Sequence, residues 1–322
     1  MSLPYLPRLL CLSLAAFFLV HVALGTLVSL IAGAAVRFAE SMRPHAAARL
    51  LLGLRLLPAA GAAFMVLAVC LPSYLWLEPE APAERVGFGC LTVALLGVAM
   101  WGISIARGLR AAAGSRRFLE SCRRAGHRTR LPGEQAETWV IEGAAPLLAL
   151  GGIVRPRLIV SQGVVSALTA EQLAAALRHE RAHWASRDNL KRLCMLLTPG
   201  IVPLAGSSGT LERGWRRFTE WSADDRAAGG SARRSFALAG ALVRVARMTG
   251  DAPYIPLTVL LLGDADQLCA RVERLLHPAA PARRRPLLTL SAIMLAAICL
   301  ALAILQPAAL YSVHAALEHL VE

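Results

Sequence analysis

A chain of 322 residues that is 56% hydrophobic, with a mean hydropathy of +0.54, is too apolar for an ordinary soluble protein of its length. Its formal net charge of +13 raises nucleic-acid binding, yet most of that charge stands beside apolar stretches. No helix-turn-helix, aromatic RNA-binding or zinc-finger pattern accompanies it. A membrane protein with no direct nucleic-acid contact is expected.

Taken in chain order, three stretches long enough to cross a bilayer come first, at about 9–36, 56–77 and 86–105, since a span needs about 20 apolar residues. The apolar core of the first is longer than the roughly 7–15 residues of a signal peptide, and no small-residue cleavage site follows it, so it is read as a span. Arg37, Arg43, Arg49 and Arg55 separate spans one and two, and Arg107, Arg110, Arg116, Arg117, Arg123 and Arg124 follow span three. The connection between spans two and three carries Glu78, Glu80 and Glu84 against Arg85 alone. By the positive-inside rule the arginine-rich sides face the cytoplasm and both termini face outward. Lys191 is the only lysine, an arginine bias that fits a GC-rich bacterial gene. The seven scattered cysteines show no Cys-x-x-Cys pairing and read as free thiols.

The segment 110–285 is expected to be one cytoplasmic domain, after a membrane domain at 1–109 and before a fourth span at 286–310 within 286–322. It should open with a juxtamembrane helix over 116–130. Short strands follow at 138–141, 147–150 and 157–161, which could offer a substrate backbone an edge or serve only as packing strands. Next come the helix beginning at Thr169, an apolar stretch at 193–205 too short to span, and helices over 215–226, 236–247, 254–262 and 268–276. The residues beyond the fourth span, 311–322, are too few to fold into an external sensor.

Chemistry concentrates in the helix after Thr169. Thr169 and Gln172 form a capping-box pattern, and the Ala/Leu-rich run behind them favours helix. His179-Glu180-x-x-His183 places two imidazoles one turn apart on one face, where both can bind one metal ion. Glu180, next to the first histidine, is placed to take a proton from the attacking water. A catalytic zinc needs a third protein ligand. His21, His45, His127, His277, His314 and His319 stand in spans, flanks or the C-terminus without a helical partner motif. A carboxylate is the better candidate: Glu220, on the next predicted helix, would complete a His/His/Glu set. Asp224, one turn on, could accept the free ring N–H of a ligand histidine.

His179-Glu180-Arg181-Ala182-His183, Arg187-Asp188-Asn189 and Glu220-x-x-x-Asp224 together resemble the BlaR/MecR-type integral-membrane zinc metallopeptidases, relatives of the HtpX and CAAX-processing membrane proteases. The stretch 152–163 resembles the strand and turn that precede the zinc helix in that family. The resemblance implies a mainly α membrane protein with four transmembrane helices and a cytoplasmic zincin-like (gluzincin) α+β domain. It implies Zn2+ held by His179, His183 and Glu220, Glu180 as catalytic base and Asp224 in support; Arg187 and Asp188 match the pattern without a derivable role. It further implies a multi-pass protein of the bacterial inner membrane that cleaves a protein substrate, with a transcriptional repressor in a signalling pathway as a candidate. Arg226, Arg233 and Arg234 are candidate donors to the developing oxyanion. The alternative is a catalytically silent transducer or scaffold with a structural zinc site, which would not need Glu180.

Overall fold

The computed structural model describes residues 4–77, 87–131, 137–143, 146–200, 207–248, 259–260 and 265–277. Among the described residues three helices are long and apolar enough to cross a membrane: Tyr5–Glu40, Pro44–Trp76 and Phe88–Ala125. The expected fourth span lies outside the described residues. Helix α1 (Tyr5–Glu40) has 36 residues, about 54 Å at 1.5 Å per residue. Helix α4 (Phe88–Ala125) has 38, about 57 Å on the same basis. Both exceed the roughly 30 Å of a hydrocarbon core, so each has turns left over to serve as scaffold outside it.

Between them α2 (Pro44–Met65) continues through a π-helical turn at Val66–Cys70 into α3 (Leu71–Leu77). Pro72 lies just beyond the π turn; its missing N–H breaks the regular ladder, and a π turn is one way a helix absorbs such a break. Arginines 37 to 55 therefore do not form a loop. Only residues 41–43 separate the two helices, and Arg37, Arg49 and Arg55 lie on helical turns. Arg8, near the start of α1, is buried and donates to the Tyr74 hydroxyl at 2.6 Å. At Gly97 of α4 an added Cβ would come within 2.9 Å of the Leu14 carbonyl, so α1 and α4 cross with backbones nearly touching.

The domain beyond the spans is built on a five-stranded mixed sheet, ordered β1-β2-β4-β3-β5. No separate helix occupies 116–130. Instead α4 runs unbroken across residues 109 and 110 to Ala125, and β1 (Gly126–Thr129) follows at once. Strand β2 (Thr138–Ile141) is antiparallel to β1 and parallel to β4 (Arg157–Ser161). Strand β3 (Leu148–Gly151) is antiparallel to β4 and also to β5 (Val259–Leu260). Of the helix expected over 254–262, residues 259–260 are thus strand and the rest lies outside the described residues. β3 has partners on both sides at Ala149 and Leu150, so no free edge is offered there.

Helices α5 (Gln162–Ala167), α6 (Ala170–Ser186), α7 (Asp188–Leu197), α8 (Ser207–Ala228), α9 (Ala232–Met248) and α10 (Ala265–Leu276) complete the described fold. Leu148, Leu158 and Val160 on one sheet face share a core with Leu173 and Leu177 of α6, Leu238 and Leu242 of α9, and Leu275 of α10. Ile159 points to the opposite face, where Gly151 lies close to Phe118 and Leu119 of α4. A second core joins the two parts of the molecule: Val28, Ala32 and Leu51 of the α1–α2 hairpin pack with Leu211, Trp215 and Phe218 of α8. Of the apolar stretch expected at 193–205, residues 193–197 are the end of α7 and 201–205 lie outside the described residues; α7 approaches α4 so closely that a Cβ on Gly108 would meet Leu197 at 2.3 Å.

Candidate metal centre

Helix α6 begins as its capping box requires: the Gln172 amide donates to Thr169 Oγ1 at 3.3 Å, and the Thr169 amide to Gln172 Oε1 at 3.1 Å. It ends at Arg187, a non-glycine residue in the left-handed region with φ 53°, an uncommon conformation for such a side chain. This sharp stop throws Asp188 and Asn189 back toward the helix they leave. Asn189 Nδ2 donates to the Leu150 and Gly152 carbonyls at 3.0 and 2.7 Å, pinning the corner to the end of β3. Asp188 Oδ2 lies 2.9 Å from His183 Nδ1. The Arg187-Asp188-Asn189 stretch thereby acquires a role that spacing alone did not supply.

His179 and His183 lie one turn apart on the buried face of α6, with Nε2 atoms 3.0 Å apart. Helix α8 brings Glu220 to them: its Oε2 is 3.4 Å from His179 Nε2 and its Oε1 3.7 Å from His183 Nε2. One turn along α8, Asp224 Oδ1 is 2.9 Å from His179 Nδ1. Each imidazole thus has its own carboxylate 2.9 Å from Nδ1, hydrogen-bonded in the case of His183, while Nε2 turns to a common point, the placing of carboxylates that sets the tautomer of metal-binding histidines. The donor atoms of His179, His183 and Glu220 all lie within 4.8 Å of one another, close enough for one metal ion. Two imidazole nitrogens and a carboxylate are a borderline-soft donor set suited to zinc rather than to magnesium or calcium.

Arg271 of α10 was not anticipated. Its guanidinium is 1% exposed, forks onto Asp224 at 2.7 and 2.9 Å, and reaches Glu220 Oε2 at 3.1 Å. Lys191 does the same for Asp188 at 2.8 Å. With Glu180 the buried site holds four carboxylates; these two cations answer half of that charge, and the rest falls to the two imidazoles when protonated or to a divalent ion bound in place of their protons. The three arginines proposed for the oxyanion are engaged elsewhere. Arg226 donates to Ser186 Oγ, Arg233 pairs with Glu171, and Arg234 donates to the Gly229 carbonyl. His21 bonds the Gly200 carbonyl, and His45, His127 and His277 take no part in the cluster; His314 and His319 lie outside the described residues.

Glu180 differs from its neighbours. It is buried, and neither carboxylate oxygen has a hydrogen-bond partner. Burial pushes its carboxyl up to about 7 from 4.5, against the pull of the two histidines. A base of that strength is matched to taking a proton near neutral pH.

Residues 129–208 match Peptidase family M48. The M48 segment takes in strands β2, β3 and β4 and His179-Glu180-x-x-His183, and stops before Glu220, Asp224 and Arg271, whose place beside the metal donors rests on geometry. No curated protein matches the chain. The M48 match, the His/His/Glu cluster and the three apolar helices together point to a membrane metallopeptidase.

Two predictions arise from the charges of this site. Replacing Arg271 by glutamine strands Asp224 and Glu220 in the interior, and removing one partner of a buried ion pair typically costs about 3–5 kcal/mol. Chemical denaturation should show a loss of that order for Arg271→Gln, while an unchanged midpoint would mean the pairing contributes nothing to the fold. The second concerns pH in the presence of a chelator. Burial alone would lower both imidazole pKa values, but Glu220 and Asp188 push His183 up to about 10 from 6.5, and Asp224 and Glu220 raise His179. The stabilisation from His183 is therefore complete below about pH 6.5 and lost as pH rises through about 10. The buried Glu180 adds a penalty that grows between about pH 4.5 and 7. Glu220 and Asp224 act oppositely. Burial would raise both, yet Arg271 above all holds them low, so their contribution is lost only as pH falls below about 4.5 and 3.8. The thermal midpoint in chelator should peak between about pH 4.5 and 6.5 and fall steadily toward pH 10. Added zinc should raise it more at pH 8 than at pH 6, because the ligands must shed protons to bind; a flat profile would contradict the charge assignment.

Proposed function

We propose that this chain is a membrane-embedded zinc metalloendopeptidase that cleaves a cytoplasmic or membrane-proximal protein. The reading is carried by Glu180, a buried carboxyl with two unpartnered oxygens and a raised pKa, beside a convergent His/His/Glu donor set. His179, His183 and Glu220 hold the zinc. Bound there, zinc supplies Lewis acidity, polarising the scissile carbonyl and acidifying the attacking water. Glu180 accepts that water's proton and delivers it to the leaving amine. Asp224 and Asp188 fix His179 and His183 through Nδ1, and Arg271 keeps Glu220 and Asp224 ionised and in place. A structural site would have no use for Glu180, which is the reason to set the silent-transducer reading second.

The arginine distribution supports a domain on the cytoplasmic side of a bacterial inner membrane, and a transcriptional repressor is the candidate substrate. Reporter fusions after Arg117 are expected to report cytoplasm, and fusions after Glu80 and Leu320 to report the outside. An external Arg117 fusion would remove a cytoplasmic repressor from consideration. In cells, Glu180→Gln protein should accumulate its uncleaved substrate in crosslinked complexes. Identical proteolysis in wild-type and variant cells would favour the transducer.

A further inference from the structure

A second polar site lies behind the metal centre, where the membrane hairpin meets the peptidase domain. A cavity of about 230 Å3 opens between the first turns of α2, the α6–α7 corner and α8, room for roughly seven waters at about 30 Å3 each. His45, Arg49, Lys191 and Arg226 line it, with Ser186 and Ser222 supplying hydroxyls. Asp188 is the one carboxylate in the wall, and it is already held by Lys191 and His183. Nearby acids are likewise engaged: Glu40 with Arg217 at 2.7 Å, and Asp225 with Arg274 at 2.7 and 2.9 Å. Arg43, Arg49 and Arg226 all act electrostatically on His45, with Asp225 as the opposing group, and of these Arg49 and Arg226 line the cavity. Among the described residues neither Arg49 nor Arg226 has a carboxylate within ion-pair distance.

We propose that this cavity binds a phosphate-bearing anion, either the headgroup of an acidic phospholipid or free inorganic phosphate. Two exposed guanidiniums over a recess with hydroxyls provide the forked, charge-assisted donors that a phosphate group accepts. The place favours a lipid. The cavity sits where α2 leaves the domain to become an apolar helix, and Ala48 and Leu52 give its wall an apolar side. Acidic lipids of a membrane surface concentrate at such juxtamembrane cations. Occupancy would bridge α2 to α8, the helix that carries Glu220 and Asp224, and would touch the Lys191–Asp188 pair that steadies His183.

The test uses the full chain, loaded with zinc, in detergent and in nanodiscs. With wild-type protein, native mass spectrometry should retain phosphatidylglycerol adducts and not phosphatidylcholine adducts, and phosphatidylglycerol should raise the thermal midpoint. The double variant R49Q/R226Q should weaken that binding at least tenfold, whereas R49K/R226K, which keeps the charge, should retain most of it. Unchanged zinc content and a monodisperse elution profile show that each variant is folded. Stabilisation by millimolar inorganic phosphate without lipid selectivity assigns the site to a soluble anion; lipid selectivity without a phosphate effect assigns it to the headgroup. Absence of both effects in wild type, or equal binding by R49Q/R226Q, overturns the proposal.

Discussion

Glu180→Gln should leave the metal site loaded and lower peptide-bond cleavage by on the order of 10²–10⁴-fold, the range that general acid–base catalysis contributes. Glutamine keeps the size and leaves His179, His183 and Glu220 in place, so metal content and membrane insertion should match the wild type. What it removes is the one carboxylate near the donors with both oxygens unpartnered. In the proposed mechanism proton uptake from water and proton delivery to the amine both run through that group, so the loss should fall on kcat rather than on KM. The pH profile adds a check that a packing defect would not reproduce. Wild-type activity should rise through about pH 7, where the Glu180 carboxyl ionises, and the residual activity of the variant should lack that limb. Equal turnover by zinc-loaded variant and wild type would refute the catalytic role.

The second large effect concerns the metal itself. Purified wild-type protein should hold about one zinc per chain, and His183→Ala or Glu220→Ala should lose most of it, because a three-ligand site opened to two no longer competes with solvent. Asp188→Asn should be milder, weakening metal affinity by roughly 10–100-fold, since outer carboxylates orient ligands without touching the ion. The ordering separates the two tiers seen in the structure: direct donors with Nε2 or Oε atoms at the common point, and carboxylates behind them at Nδ1. Full occupancy in both alanine variants would move the metal elsewhere.

Much of the site was legible because its information is local. The i, i+4 pair His179/His183, Glu180 between them and the Thr169/Gln172 cap all follow from short-range spacing along the 17 residues of α6 and the N-cap residue before them. Glu220 could be proposed because a zinc site lacks something without it, and Asp224 because one turn separates the two on α8. Three apolar runs marked the helices that can cross a membrane, since hydrophobic length alone decides that property. The boundaries were less legible. Where an apolar run ends, α1 and α4 continue as helices because Ala- and Arg-rich turns keep high helix propensity, so the expected loop and juxtamembrane helix became extensions of the spans.

Sequence by itself determined the apolar helices, the helix that carries His179 and His183, and the placing of Glu180 beside them, all set by residue type and short-range spacing. Tertiary structure alone decided which carboxylate serves which histidine, that Asp188 reaches back to His183 through a left-handed corner, and that β5 covers β3. It also decided Arg271, which stands 92 positions from His179 on an amphipathic helix where nothing local sets it apart from 32 other arginines. The physical reason is the same throughout. A buried guanidinium is recognised by the charges packed around it, and those charges come from helices α8 and α6, brought to α10 only by closure of the core.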